Sequence, residues 1–466
     1  MKNRFENFAA KRSVLFKELL KKGWQGPLSG SDIREVVNKF IERYHFAEGD
    51  KPFIINHVRV ALGLDPIEEV DENDYDNIVN QVEKLSSIES PILTKIDDAC
   101  QHCNTEDPLD LSCYESCKYE AVIYHKEQGP QIDREKCLDC GRCVTECTCG
   151  GLVNKIEVMP FLEDLKNDNK RIYAAVAPSI AGQFGEDVSM AQLRTAFKRL
   201  GFTDMVEVAL FADILTIREA YEFDELVTTE EDFFLTSCCC PVWIRLVENK
   251  YSEIFDKMSL SVSPMIASGR FLKELYSDAK VVFISPCTAK KAEAKEPNLE
   301  DAIDFVVTYQ ELKDVFDVAD IKLDQLREDD KDQASYAGRV YARAGGVSLS
   351  VKTVVNRIAP DRLINLKAKQ VNGTKECMDL LDKLSKGEDI EANFIEGMGC
   401  DGGCVGGPKT NIDKDKATRI VNEFGEDSMI MTPMDNMNII KILHNFRLND
   451  FAGISTNEKM EELLKR

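Results

Sequence analysis

Five stretches of this chain place cysteine where it can do chemistry. The tightest is Cys137-x2-Cys140-x2-Cys143-x3-Cys147, and a looser relative, Cys100-x2-Cys103-x9-Cys113-x3-Cys117, lies upstream of it. Three more follow at long intervals: Thr236-Ser-Cys-Cys-Cys-Pro-Val-Trp243, Ser285-Pro-Cys-Thr-Ala-Lys-Lys-Ala-Glu293 and Glu396-Gly-Met-Gly-Cys-Asp-Gly-Gly-Cys-Val-Gly-Gly-Pro408. Thiolates in clusters are soft ligands for iron, copper or zinc. Disulfide frameworks belong to small exported domains, and the stretch Met1 to Leu20 lacks the apolar core of an export signal, so metal is the better reading. The placement agrees, because none of the 16 cysteines precedes Cys100 and nine fall between Cys100 and Cys149.

The compact run has the spacing of bacterial ferredoxins, in which three close thiolates hold one corner of a cubane and the fourth ligates a neighbouring cluster. That crossed rule predicts one 4Fe-4S cluster on Cys100, Cys103, Cys113 and Cys147, and a second on Cys137, Cys140, Cys143 and Cys117. Structural zinc is the plainer alternative for tight cysteine pairs; eight ligands at this spacing favour clusters. Lys118 and Thr148 stand where proline usually follows the fourth cysteine. Cys149 is a ninth thiol without a place, and His102 reads as a loop residue.

The three distal motifs together resemble the signatures of FeFe (iron-only) hydrogenases, in the variant with three consecutive cysteines before proline. The resemblance implies an H-cluster: a 4Fe-4S cubane on Cys240, Cys287, Cys400 and Cys404, with Cys404 bridging to a diiron unit that carries CO, cyanide and an azadithiolate. It assigns proton exchange with the bridgehead amine to Cys239, and a relay to Glu219, Ser259 and Glu222. A thiol suits that task because its pKa lies not far above neutral. Taken alone, two glutamates three apart on a helix read equally as a solvated face. Lys290 resembles the donor to one cyanide, with Glu293 as its companion; Ala177, Pro178 and Ser179 resemble the loop lining the other. Met398 resembles the methionine packed on the diiron unit, although by itself it reads as core.

This sequence departs from the family pattern at three points. Cys238 replaces a serine, Ser285 replaces a methionine, and the outermost relay arginine falls at Leu226, so the exit to solvent must differ. Cys377 belongs to no motif. The reaction implied is 2H⁺ + 2e⁻ ⇌ H₂, with ferredoxin or flavodoxin as electron partner and maturation proteins installing the diiron unit. The alternative is a hydrogenase-like sensor of redox state or hydrogen, or an iron–sulfur assembly protein, without turnover. Assembly-type relatives tend to lose the proton-handling cysteine, which this chain keeps.

These residues need elements that carry them to one place. Residues 1–92 read as a helical segment with apolar positions at helical spacing, including Leu15, Phe16 and Leu19, then Ile33, Val36, Val37 and Phe40; Ser31 is the expected N-cap of the second helix. Residues 93–155 form the expected α+β ferredoxin-like domain. From 156 to 466 the pattern is α/β, a catalytic domain of two lobes with small, mostly parallel sheets flanked by helices. Expected strands are Arg171–Ala177, Met205–Leu210, Lys280–Ser285 and Asp304–Thr308, and expected helices are Met190–Leu200 and Pro264–Tyr276. Several motifs sit just past a strand, where open α/β sheets build their sites. With 82 acidic against 59 basic side chains the net charge is −23, which excludes a nucleic-acid partner. No run of 18 apolar residues predicts a membrane span, so a cytoplasmic location is expected.

Overall fold

The computed structural model describes residues 7–85, 87–96, 111–125, 129–166, 170–236 and 238–466; Cys100, Cys103 and His102 lie outside the described residues. The chain forms two compact units, Met1–Asp168 with Gln310–Lys322, and Asn169–Tyr309 with Leu323–Arg466.

In the first unit the apolar periodicity becomes four helices, α1 (Phe8–Gln25), α2 (Gly30–Tyr44), α3 (Lys51–Ala61) and α4 (Tyr75–Glu83). The expected apolar stripes of α1 and α2 are the buried faces. The N-cap of α2 is Ser29 rather than Ser31. Ser29 Oγ accepts from Asp32 N–H at 3.2 Å while the Asp32 carboxylate accepts from Ser29 N–H at 3.1 Å, a reciprocal pair that Ser31 has no partner to make. Strand β1 (Leu93–Lys95) pairs antiparallel with β4 (Leu152–Asn154), and β2 (Val122–His125) forms a hairpin with β3 (Gly129–Ile132). Short helical turns Ser112–Glu115 and Arg142–Glu146 carry Cys113 and Cys143. The helices pack onto the cysteine segment: Phe8 N–H donates to Thr148 O at 2.9 Å, and its ring lies 4.4 Å from that of His57. Gly150, at φ +77°, leaves room for that ring, since a Cβ there would fall 2.6 Å from it.

The second unit holds two parallel sheets. In the first, β5 (Ile172–Val176), β6 (Asp204–Glu207), β8 (Lys280–Ser285) and β9 (Phe305–Thr308) run in the order β6-β5-β8-β9. In the second, β7 (Phe234–Leu235), β10 (Ala368–Asn372) and β11 (Phe394–Met398) run in the order β10-β11-β7. Helices α5 (Met190–Leu200), α6 (Ala209–Leu226), α7 (Pro241–Lys250), α8 (Pro264–Leu275), α9 (Ala289–Glu293), α10 (Gly346–Ile358) and α11 (Glu458–Leu464) are the ones that matter for the site. The expected strand Met205–Leu210 stops at Glu207. Phe211 and Ala212 N–H both turn back to Val208 O at 3.0 Å, which opens α6; a short apolar run alone does not separate a strand from a buried helix. Among the described residues, no helix is long and apolar enough to cross a membrane.

The loops leaving β5, β7, β8 and β11 at their carboxyl ends carry Ala177 to Ser179, Cys238 to Cys240, Cys287, and Cys400 with Cys404 respectively. Trp243 joins two of them. Its ring is fully buried, its indole N–H donates to Thr236 O at 2.9 Å, and it lies where a Cβ on Gly397 would sit, 2.2 Å away. Gly397→Ala is therefore expected to destabilise the chain by about 1–3 kcal/mol through overpacking and to lower the iron bound per chain, as measured by denaturant titration and iron analysis. An unchanged midpoint would mean that the ring is free to move aside.

Candidate active site

A cavity opens between these loops. Ala177, Pro178 and Ser179 form one wall; Cys239, Lys290 and Cys404 face into it from the other loops. Cys240, Cys287 and Cys404 are close enough to act on one another electrostatically, with Cys239 and Lys290 in the same group. Gly399 N–H donates to Cys240 Sγ at 3.3 Å, which ties the loop after β7 to the start of the Cys400 loop. Glycines let the backbone come this close: Gly402 and Gly403 have φ of +80° and +89°, and a Cβ on Gly403 would meet Ala344 N at 2.8 Å. Among the described residues no three His, Cys, Asp or Glu side chains are arranged to hold a single metal ion. The site instead offers thiols from separate loops beside a cavity, and this donor set fits a bulky iron–sulfur group rather than one tetrahedral ion.

Charge is arranged around the cavity in a definite way. Burial opposes the Lys290 ammonium, but Glu293, 2.5 Å from it, outweighs burial and holds its pKa above the ordinary value. Glu293 is itself fully buried, with Arg466 at 3.8 Å. A buried cation with one carboxylate is suited to a further anionic contact. Burial, then the neighbouring Cys404 and Cys240, push the Cys239 thiol well above its usual range, so without a cluster it is protonated. Ser285 Oγ accepts from Cys287 N–H at 3.3 Å, a backbone anchor that methionine would not give.

The proton-handling candidates also come together. Thr236 Oγ1 donates to Glu219 Oε2 at 2.7 Å, while Oε1 of the same carboxyl is buried without a hydrogen-bond partner among the described residues. The thiol of Cys238 and the hydroxyl of Ser259 lie beside this carboxyl. Ser259 Oγ donates to Glu222 Oε2 at 2.7 Å. Glu219, Ser259 and Glu222 thus form a line leading from the cysteine loop toward the end of α6. Met398 is buried in the core at the end of β11, and Met265 is the methionine on the cavity wall. Two tyrosines went unnoticed in the sequence because they lie outside the cysteine motifs. Tyr341 lines the cavity and accepts from Thr216 Oγ1 at 2.7 Å; Tyr309 hydrogen-bonds Ser179 at 2.7 Å. Cys377 is buried, with Sγ 3.4 Å from Met398 O.

In the first unit, Cys113 lies beside Cys147, and Cys117 beside Cys140 and Cys143. Leu152 N–H donates to Cys147 Sγ at 3.2 Å. Burial raises the thiols of Cys113 and Cys137, to about 11 and about 12.

Thiol-bearing loops at the carboxyl ends of two parallel sheets, converging on one cavity, define the class: an α/β protein built around a metal–sulfur group. The chain belongs to the iron-only hydrogenase family, its residues 170–408 matching the model of the iron only hydrogenase large subunit, C-terminal domain. It is 28% identical over 480 residues to Iron hydrogenase 1 of Clostridium pasteurianum, across 78% of this chain and 83% of that protein. It is 23% identical over 406 residues to a probable cytosolic Fe-S cluster assembly factor of Drosophila mojavensis, across 73% of this chain and 84% of that protein. A solved FeFe-hydrogenase variant from Chlamydomonas reinhardtii shares the fold with a TM-score of 0.54 at 21% identity, covering 66% of this chain and 97% of that one.

Burial above all, then the nearby Glu222 charge, lifts the Glu219 carboxyl from 4.5 to about 8, against the pull of the Thr236 hydrogen bond. Between those values the folded chain holds a proton that the unfolded chain has released, so this group's contribution to stability declines as pH rises through that window. Denaturant titrations of the metal-free chain at a series of pH values are expected to show a slope shallower by up to about 1.4 kcal/mol per pH unit in Glu219→Gln. Equal slopes in the two proteins would mean that Glu219 is ionised throughout.

Proposed function

We propose that this protein is an FeFe-hydrogenase of the three-cysteine subgroup, catalysing 2H⁺ + 2e⁻ ⇌ H₂. The observation that carries the reading is the cavity in which Cys239, Lys290 and Cys404 face the Ala177 to Ser179 loop. Cys240, Cys287, Cys400 and Cys404 would hold the cubane, and Cys404 would bridge to the diiron unit. When bound, the H-cluster supplies the iron chemistry that makes and splits hydrogen.

The chain's own residues bind, orient and move protons. Lys290, held by Glu293, presents a cation where an anionic cyanide would sit. The Ala177 to Ser179 loop, braced by Tyr309, lines the opposite side, and Met398 supports the Cys400 loop from the core. Cys239 exchanges a proton at Sγ. Glu219, with a pKa of about 8, takes that proton or gives it back near neutral pH, where general acid–base groups work best. Ser259 passes it on to Glu222. Cys238 lies at Glu219 where the family has serine, so a weaker hydrogen-bond donor stands next to the relay carboxyl.

The cysteine segment of the first unit, assigned to residues 93–155, would hold two 4Fe-4S clusters on the crossed ligand sets and exchange electrons with ferredoxin or flavodoxin. Residues 1–92 are the helical segment packed on it, and 156–466 the catalytic domain. A cytoplasmic site of action fits a protein that depends on maturation proteins for its diiron unit.

Infrared spectra of anaerobically matured protein are expected to show CO and cyanide bands, with hydrogen evolved from a reduced donor. Cys239→Ala is expected to keep those bands and lose about 100-fold or more in turnover. Iron–sulfur clusters without CO bands, in protein matured alongside a working hydrogenase, would instead favour an assembly or sensing role like that named for the Drosophila relative.

A further inference from the structure

The position expected to carry an arginine is Leu226, an exposed residue at the end of α6 that offers no polar group. The structure has an arginine at the relay from another direction. Arg218, one turn before Glu222 on the same helix, donates from Nε to Glu222 Oε1 at 3.0 Å. Its Nη2 donates to Glu461 Oε2 at 2.7 Å, on α11, far along the chain. The Arg218 side chain is only 5% exposed, whereas that of Glu461 is 40% exposed and that of Glu222 17%.

Resting on the reading of this chain as a hydrogenase, we propose that Arg218, anchored by Glu461, is the positioning residue that holds Glu222 in register with Ser259 and places the proton exit beside the α11 helix. A guanidinium keeps its proton in proteins, so Arg218 carries none. It acts through Glu222. The two carboxylate oxygens have separate tasks: Oε2 accepts inward from Ser259, while Oε1 accepts from Arg218 and from Ser261 at 3.3 Å. With Oε1 pinned, the carboxylate cannot rotate away from Ser259, and its partly exposed edge is where a proton enters or leaves.

A plain structural ion pair would also join α6 to α11, but α11 is already held in place by backbone bonds to another segment. Val262 N–H donates to Leu464 O at 2.8 Å and Arg466 N–H to Leu260 O at 2.9 Å, which zips the C-terminal segment onto residues 260–262 without Arg218. Moreover Arg218 Nη1 is buried with no hydrogen-bond partner among the described residues, an uneconomical feature for a residue whose only task is to hold two helices together. Among the described residues, the charged groups facing Glu222 are Glu219 and Arg218 from α6, and beyond Arg218, Glu461 with Lys465 at 3.1 Å from it. Removing the guanidinium therefore takes away the cation nearest to Glu222.

The test uses the matured full chain with Arg218→Gln, Arg218→Lys and, as a variant at the exposed end of the pair, Glu461→Gln. Each is expected to keep its CO and cyanide infrared bands. Arg218→Gln is expected to lose roughly 10- to 100-fold in turnover, with a larger solvent deuterium isotope effect and a pH profile whose carboxylate limb moves to higher pH. Arg218→Lys should recover part of the rate, and Glu461→Gln should move the same limb by less. Intact bands with unaltered rate, isotope effect and pH profile in both Arg218→Gln and Glu461→Gln would overturn the inference while leaving the hydrogenase reading in place. Absence of CO bands from the unaltered protein would remove both.

Discussion

The packing of Trp243 onto Gly397 is the contact on which the site depends. Trp243 stands three residues past Cys240, and Gly397 three residues before Cys400, so one ring against one bare backbone fixes the distance between two thiol-bearing loops. The indole N–H satisfies Thr236 O and so pins the start of the three-cysteine loop at the same time. Parallel pairing of β7 with β11 brings these loops out of the sheet side by side. The other sheet contributes the loops after β5 and β8 by the same geometry. Burial raises the pKa of Cys239, Cys287 and Cys404 and leaves them neutral, so in the absence of metal the thiols add little to this packing beyond the Gly399 N–H bond to Cys240 Sγ.

The second constraint is the treatment of buried charge. Carboxylates in this interior are given partners according to what they do. Glu396 accepts from Gly345 N–H, Ser348 N–H and Ser348 Oγ, between 2.6 and 2.8 Å, and so holds the start of α10 against β11. Asp213 accepts from Ser335 and Asn436 and fixes the first turns of α6. Glu219, on the same helix as Asp213, has one oxygen hydrogen-bonded among the described residues and a pKa of about 8, against about 6 for Asp213. A structural carboxylate is saturated with donors; one that trades protons is left short of them. That difference within one helix is the electrostatic signature of the site.

Most of the four-stranded sheet and helix α5 were legible in the sequence, whereas the short strands of the β10-β11-β7 sheet were not. Ile172–Val176, Lys280–Ser285 and Phe305–Thr308 lie within the segments read as strands, and Met190–Leu200 is the helix read there. β-Branched runs and capping residues are local signals, and local signals survive in a single chain. The cysteine loops were legible for the same reason. What else escaped was of two kinds. Val208 to Leu210 is apolar enough to pass for strand, and only the turn of the backbone at Val208 separates it from a helix start. Tyr341, Tyr309 and the Arg218–Glu461 pair are tertiary facts: the last joins residues 243 apart in sequence, and no spacing announces it.

The central claim is that thiols from four loop positions surround one iron cluster at the cavity mouth. Anomalous diffraction at the iron edge, from crystals of anaerobically reconstituted protein, tests it without reliance on turnover. The account predicts iron at bonding distance, about 2.3 Å for a metal–thiolate bond, from Sγ of Cys240, Cys287, Cys400 and Cys404. Iron confined to the Cys113 to Cys147 segment, with those four sulfurs bare, would contradict it.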